Sequence, residues 1–227
     1  MTGRWWPEDD GEGTMVTDAA EIHSLLERCQ QHDRAAFAEL FNCYHLQVFR
    51  SAYLITRRHE AADDITQLVF VELFSAFHRF DLRRPFLPWL YRIVHNVSVD
   101  YLKRDRRGRA LVPTTDAQFD TLLGPDPAPG PAEQAEQAEL RRAIWDALDH
   151  LPVNQRAVLV LSYYGGLNEH EVAEAMGVRP GTIKSRLHRA RHALRETLAR
   201  YHGAASLEHL PSVDGLPVAS SAQEGGE

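Results

Sequence analysis

Apolar side chains recur at every third or fourth position along two stretches of this chain and nowhere alternate with polar ones over the length of a strand, which restricts it to helices. In the first stretch Phe37, Leu40, Tyr44, Val48, Ala52 and Ile55 form one stripe, and Ile65, Val69, Leu73, Ala76 and Phe80 a second. A third stripe, Leu90, Val94, Val97 and Tyr101, follows Pro88, which suits a first helical turn because its missing N–H would have no partner there. The loop Asp81 to Phe86, carrying Arg83-Arg84-Pro85, separates the second and third helices. The second stretch opens with Leu140, Ile144, Leu148 and Leu151. A helix from about Val153 is expected to end at Gly165-Gly166, where a left-handed stop costs glycine nothing. Asn168 then begins a capping box with Glu171, and a short helix with Val172 and Met176 inward ends at Gly177. Pro180 starts the last helix, whose apolar stripe is Ile183, Leu187, Ala190, Leu194 and Leu198.

Between the two stretches, Val112 to Glu139 holds five prolines, six carboxylates and no base, which is the chemistry of a linker. The organisation read from this is all-α: an N-terminal extension over 1–19, a helical body over 20–110, an acidic linker over 111–138, a second helical body over 139–202, and a tail over 203–227. The extension and the Ser/Gly/Pro-rich tail have the composition of disordered segments. The formal net charge is −7, but it is unevenly spread. Residues 1–20, 111–140 and 201–227 carry −4, −6 and −4, whereas 21–110 and 141–200 carry +3 and +4. Two mildly basic bodies joined by acidic segments are compatible with an anionic partner.

Cys29 and Cys43 are too few for a disulfide framework. No segment approaches the ~20 apolar residues of a membrane span, so no membrane insertion is expected. The N-terminus, with Glu8, Asp9, Asp10 and Glu12 and no apolar run, does not read as a signal peptide, and a cytoplasmic location is the expectation. Cys29 near His32, Cys43 near His45, and His188 one turn before His192 raise the question of zinc. No H-E-x-x-H completes such a site, and no P-loop, dinucleotide fingerprint or G-x-S-x-G points to an enzyme, so no cofactor or catalytic residue is assigned.

A short helix, a glycine turn and a longer helix are the parts of a helix-turn-helix, whose second helix enters the major groove of DNA. Opposite that apolar stripe, the segment from Arg179 to Arg200 carries Arg179, Lys184, Arg186, Arg189, Arg191, Arg195 and Arg200 against one acid, Glu196. A merely solvated face mixes signs, and this one hardly does. Base-reading roles are expected nearest the helix start, at Thr182, Lys184, Ser185, His188 and Arg189.

These residues resemble a known family. The runs Leu151-Pro-Val-Asn-Gln-Arg-Ala-Val-Leu, Gly166-Leu-Asn-Glu-His-Glu-Val-Ala-Glu-Ala-Met-Gly and Pro180-Gly-Thr-Ile-Lys-Ser-Arg-Leu-His-Arg-Ala-Arg are similar to the fourth conserved region of bacterial sigma factors of the extracytoplasmic-function (ECF) type. Ala35-Ala-Phe-Ala-Glu-Leu-Phe, Ala62-Asp-Asp-Ile-Thr-Gln-Leu-Val-Phe and Pro85-Phe-Leu-Pro-Trp-Leu-Tyr-Arg-Ile-Val-His-Asn resemble the second region. The resemblance implies a non-enzymatic initiation subunit that binds core RNA polymerase through its β and β′ subunits and directs it to promoter DNA, with an anti-sigma protein as a further candidate partner. It implies −35 recognition by Lys184, Ser185, Arg186, His188 and Arg189, with Arg191 on a phosphate. Asp64, Gln67 and Phe70 match positions that dock on the β′ clamp helices. Asn96, Trp89 and the loop Asp81 to Phe86 match the part that melts the −10 element. Leu68 departs from the family, which commonly has glutamate there.

Melting needs no bond chemistry, only a surface that prefers the unpaired strand. Aromatic residues with Arg83, Arg84 and Arg92 nearby supply stacking and phosphate attraction. Trp89 at helical spacing also reads as core, whereas Asn96 within an apolar stretch must find partners or face solvent. Lys103 to Arg109 reads equally as a solvated helix end and as a phosphate contact. By the same resemblance, the acidic linker is expected to mimic nucleic acid in the path of nascent RNA. A DNA-binding response regulator, the main rival, needs a βα receiver domain, and residues 20 to 110 show no strand alternation. An adaptor that binds polymerase without reading DNA is the third reading.

Overall fold

The computed structural model describes residues 19–105 and 143–202. The expected extension up to residue 18, the acidic linker and the tail lie outside the described residues, as do Arg106, Arg107 and Arg109, whereas Ala19, expected in the extension, begins a helix. Among the described residues there is no strand. The order is α1 (Ala19–Gln30), α2 (Arg34–Thr56), α3 (His59–Ala76) running into a 3₁₀ turn at Phe77–Arg79, α4 (Phe86–Asp105), α5 (143–149), α6 (Val153–Leu159) continuing as a π turn (Val160–Tyr164), α7 (Glu169–Met176) and α8 (Pro180–His202).

In the first body α2, α3 and α4 pack on one another, with Leu40, Val48, Ala52 and Ile55 from α2, Ile65, Val69 and Leu73 from α3, and Leu90 and Val94 from α4 all buried. Asp33 caps α2, its carboxylate accepting from the Ala35 N–H at 2.8 Å. Arg58 and Asp105 form an ion pair that ties the start of α3 to the end of α4. The helix α1 was not foreseen from periodicity, although Leu25, Leu26 and Cys29 bury one face of it. Burial also pushes the Cys29 thiol up to about 11.

Phe86, expected in the loop, is the first residue of α4, so the loop closes at Pro85 and Pro88 lies in the first turn. In the second body the capping box forms as read: Asn168 accepts from the His170 and Glu171 N–H groups at 3.0 Å each, and Glu171 accepts from the Asn168 N–H at 2.8 Å. Gly177 is left-handed, and Pro180 opens α8. The expected stop at Gly165-Gly166 is half corrected. Gly166 is left-handed at φ 66°, but Gly165 stays helical at φ −76° and donates its N–H five residues back to the Val160 carbonyl. Glycine is required at 165 for room: a Cβ there would lie 2.7 Å from the Leu161 oxygen and 2.9 Å from the Tyr91 ring.

The two bodies lie against each other along a seam, α2 on α6 and its π turn and α4 on α7. Tyr91 of α4 is fully buried there, its hydroxyl accepting from Gln47 at 3.0 Å. Arg57, the left-handed cap of α2, reaches across to Asp149 of α5 at 2.7 Å.

Candidate nucleic-acid interface

The last helix separates cleanly into two faces. Ile183, Leu187 and Ala190 are buried against α6 and α7, while Lys184, Ser185, His188 and Arg189 are exposed and Thr182 and Arg186 half-exposed. The separation follows from the 3.6-residue turn, since 183, 187 and 190 share one side and 184, 185, 188 and 189 the other. Pro180 in the first turn and the left-handed Gly177 set the angle between α7 and α8. Arg191 sits apart from the outward row. It is half-buried, donates from Nε to the Tyr163 hydroxyl at 2.6 Å, and lies 5.6 Å over that ring, which fixes α8 to the π turn.

On the first body, Arg92 and Asn96 are exposed on one side of α4, one turn apart. Asn96 thus faces solvent, with its side-chain oxygen 3.3 Å from His95 Nδ1. Arg83 is exposed and paired with Asp81 at 3.0 Å; its guanidinium holds the Asp81 carboxyl below the usual range. Arg84 is paired with Glu174 of α7 in the other body. Phe86 is buried and Trp89 half-buried in one aromatic cluster, Trp89 stacked on Phe80 at 4.5 Å and edge-on to Phe77 at 5.5 Å. The rim of this region is therefore Arg83, Arg92 and Asn96, with Trp89 partly accessible and Phe86 beneath it.

A third surface lies on α2 and α3. Asp64 and Gln67 are exposed, Asp64 accepting from the Tyr101 hydroxyl at 2.8 Å. Phe70 is turned inward, its ring 4.6 Å from Phe41. Beside it stand the exposed apolar residues Phe41, Leu68, Val71 and Phe74, Val71 being 64% exposed. Sequence reading missed Phe41, Val71 and Phe74. The signal was present as apolar residues one or two positions off the buried stripes, the wrong phase for the core. Among the described residues no cluster of three histidines, cysteines or carboxylates could hold a metal ion, and no helix is long and apolar enough to cross a membrane.

Models of the sigma-70 family match both bodies, region 2 over residues 40–108 and region 4 over residues 141–194. The ECF RNA polymerase sigma factor SigE of Mycolicibacterium smegmatis is 31% identical over 195 residues, covering 86% of this chain and 71% of the relative. The corresponding factor RpoE of Cereibacter sphaeroides is 30% identical over 192 residues, covering 82% and 99%. SigW of Bacillus subtilis is 29% identical over 180 residues, covering 78% and 96%. Among solved structures, CnrH in complex with the cytosolic domain of CnrY has a TM-score of 0.56 at 24% identity, covering 78% of this chain and 97% of that one. RpoE bound to the anti-sigma factor NepR from Bartonella quintana has a TM-score of 0.55 at 22% identity, covering 71% and 96%. Both likenesses are of fold.

Proposed function

This chain belongs to the ECF group of the sigma-70 family, and from that premise we propose how its own residues divide the work of a promoter-recognising initiation factor for core RNA polymerase. The observation that carries the reading is the exposed row Lys184, Ser185, His188 and Arg189 on a helix whose opposite residues Ile183, Leu187 and Ala190 are buried. This row enters the major groove of the −35 element. Lys184 and Arg189 reach guanine edges or phosphates there, and Ser185 and His188 donate to base edges. Thr182 and Arg186 flank the row at the groove's edge. The tie of Arg191 to Tyr163 supports a role in setting the tilt of the helix, with any phosphate contact made from that fixed position.

On the first body, Asn96 and Arg92 form the rim that meets the −10 element, with Arg83 attracting the phosphates of the separated strand. Trp89 offers the accessible ring on which an unpaired base can stack, and Phe86, Phe80 and Phe77 hold that ring in place. Binding energy gained on the unpaired strand offsets unstacking, so the chain moves protons and bonds nowhere; bond making belongs to the polymerase. Asp64 and Gln67 beside the apolar patch of Phe41, Leu68, Val71 and Phe74 fit the β′ clamp helices, Phe70 supporting the patch from below. Leu68, where the family commonly has glutamate, makes this contact more apolar. An anti-sigma protein is a further partner in this reading, since of the structural neighbours CnrH is bound to the cytosolic domain of CnrY and RpoE to the anti-sigma factor NepR.

Run-off transcription with purified core enzyme over a promoter library tests the assignment. Asn96→Ala is expected to abolish strand opening while leaving polymerase binding intact, and Arg189→Ala to change which −35 sequences are used. Transcription indifferent to both substitutions refutes it.

A further inference from the structure

Phe37, Ala38 and Phe41 of α2 and Phe74 of α3, with Arg34 and Asn42 at the rim, line an open groove of about 410 Å³ on the first body. Its walls are aromatic: Phe74 stands edge-on to Phe37 with ring centroids 4.9 Å apart, and Phe41 rests on Phe70 at 4.6 Å. Val71 and Leu68 continue the apolar surface back along α3, three residues at a time. Among the described residues Phe41, Leu68, Val71 and Phe74 are all of the exposed large apolar side chains, and they gather on this one face. In a chain free of polymerase such a patch calls for a cover.

The chain itself carries a cover of matching chemistry and reach. Ahead of α1 stand Trp5-Trp6-Pro7, followed by Glu8, Asp9, Asp10 and Glu12. Indoles pack well edge-on or offset against phenyl walls. The carboxylates that follow suit Arg34, which is exposed at the groove's rim and forms no ion pair with another described residue. Helix α1 is 12 residues, about 18 Å, long, and its far end turns through Asp33 straight into Arg34. Ala19 therefore lies on the order of 20 Å from the rim. The thirteen residues from Trp6 to Ala19 extend to at most about 45 Å and, as a flexible chain, average about 20 Å end to end. A tether whose mean span matches the gap gives the highest effective concentration, of roughly millimolar order. A symmetric second copy fits less well, because a stable interface takes about 20–30 residues from each partner and this patch is far smaller. The acidic linker offers one smaller ring, Phe119.

We propose that Trp5 and Trp6 occupy the groove of Phe37, Phe41 and Phe74 in their own chain and cover the polymerase-docking face until core polymerase displaces them. The cover lowers the apparent affinity for polymerase by the fraction of time the face is open: an opening of one part in ten costs about ten-fold. That consequence rests on the reading of this face as the β′ contact, whereas the occupancy of the groove does not.

The test uses the full chain. 5-Fluorotryptophan gives one fluorine resonance for each of the four tryptophans, and Trp5→Phe and Trp6→Phe identify the two of interest. A nitroxide on Ser75→Cys, exposed beside Phe74, in a Cys43→Ser background, is expected to broaden both resonances relative to the same label reduced. A mixture of spin-labelled chain without fluorine and fluorinated chain without label is expected to show no broadening. Separately, Trp5→Ala/Trp6→Ala, which alters none of the described residues, is expected to bind purified core polymerase about five- to ten-fold more tightly than the wild type, and Phe119→Ala is expected to bind as the wild type does. Resonances left sharp in the labelled chain overturn the occupancy, and broadening in the mixture gives the groove to a second copy instead. Tighter binding from Phe119→Ala but not from the tryptophan pair gives it to the linker. Broadening with unchanged affinity for core overturns the covering role. Failure of the wild-type chain to bind core at all would remove the functional reading, while the fluorine resonances would still report whether the groove is filled.

Discussion

Arg189 and Ile183 stand within two turns of each other on α8 and separate recognition from folding. Arg189 is exposed on the outward row, whereas Ile183 is completely buried against α6 and α7. Arg189→Ala removes no packed surface, so the unfolding free energy should change by less than about 0.5 kcal/mol. If the guanidinium reads a guanine edge, its loss costs about 1–3 kcal/mol of discrimination, roughly a 5- to 150-fold fall in use of the best −35 sequence over its single-base variants. Ile183→Ala leaves a cavity beneath the same helix and should cost about 2–5 kcal/mol of stability. Its effect on promoter choice should follow the fraction folded and show no preference for any base. Denaturant melts give the stabilities, and competitive run-off on matched templates with saturating core enzyme gives the discrimination. Equal loss of stability in both variants, or an Arg189→Ala protein that still ranks templates as the wild type does, would refute the division of α8 into a reading face and a core face.

Two further outcomes rest on local chemistry. Asn168→Ala should lower the stability of the second body by about 1 kcal/mol, and the Asn168→Ala/Glu171→Ala pair by less than the sum of the singles, because the reciprocal bonds of the capping box form together; denaturant midpoints measure this. His95 is buried, and burial chiefly, with the charge of Arg186 and Lys103 added and the Asn96 bond and Asp100 opposing, lowers its pKa below the usual 6.5. The unfolded chain therefore binds more protons than the folded one below about pH 6.5, so His95's contribution is complete above that pH and is lost as pH falls through the folded value. The urea midpoint of the wild type should drop between pH 7 and pH 5 by more than that of His95→Gln, and parallel curves for the two proteins would exclude the effect.

How far the sequence could be read follows from the range of each interaction. Asn168 and Glu171 are three residues apart, Pro180 and Gly177 act on their own backbone, and the two faces of α8 follow from the helical turn, so each was legible before any packing was known. The loop residues Arg83 and Arg84 were also legible as charges, but not the partner of Arg84, which lies ninety positions on. Phe70 and Phe86 show the same limit on the apolar side. Spacing marks an aromatic residue as helical, but only the neighbouring helices decide whether its ring faces a partner or the core. Phe70 points inward while Val71 and Phe74 point out. Gly165 looked like a helix stop. Its reason is the Tyr91 ring, brought against it from the other body.

The sequence by itself determined the helices other than α1, the capping box of α7, the two basic bodies and the charged face of α8 that we assign to DNA, because these depend on periodicity and on contacts within a turn or two. Only the tertiary structure decided the apolar patch on α2 and α3 and the tie of Arg57 to Asp149. Those two residues are separated by 92 positions, and no local propensity encodes a contact whose existence depends on how two folded bodies dock.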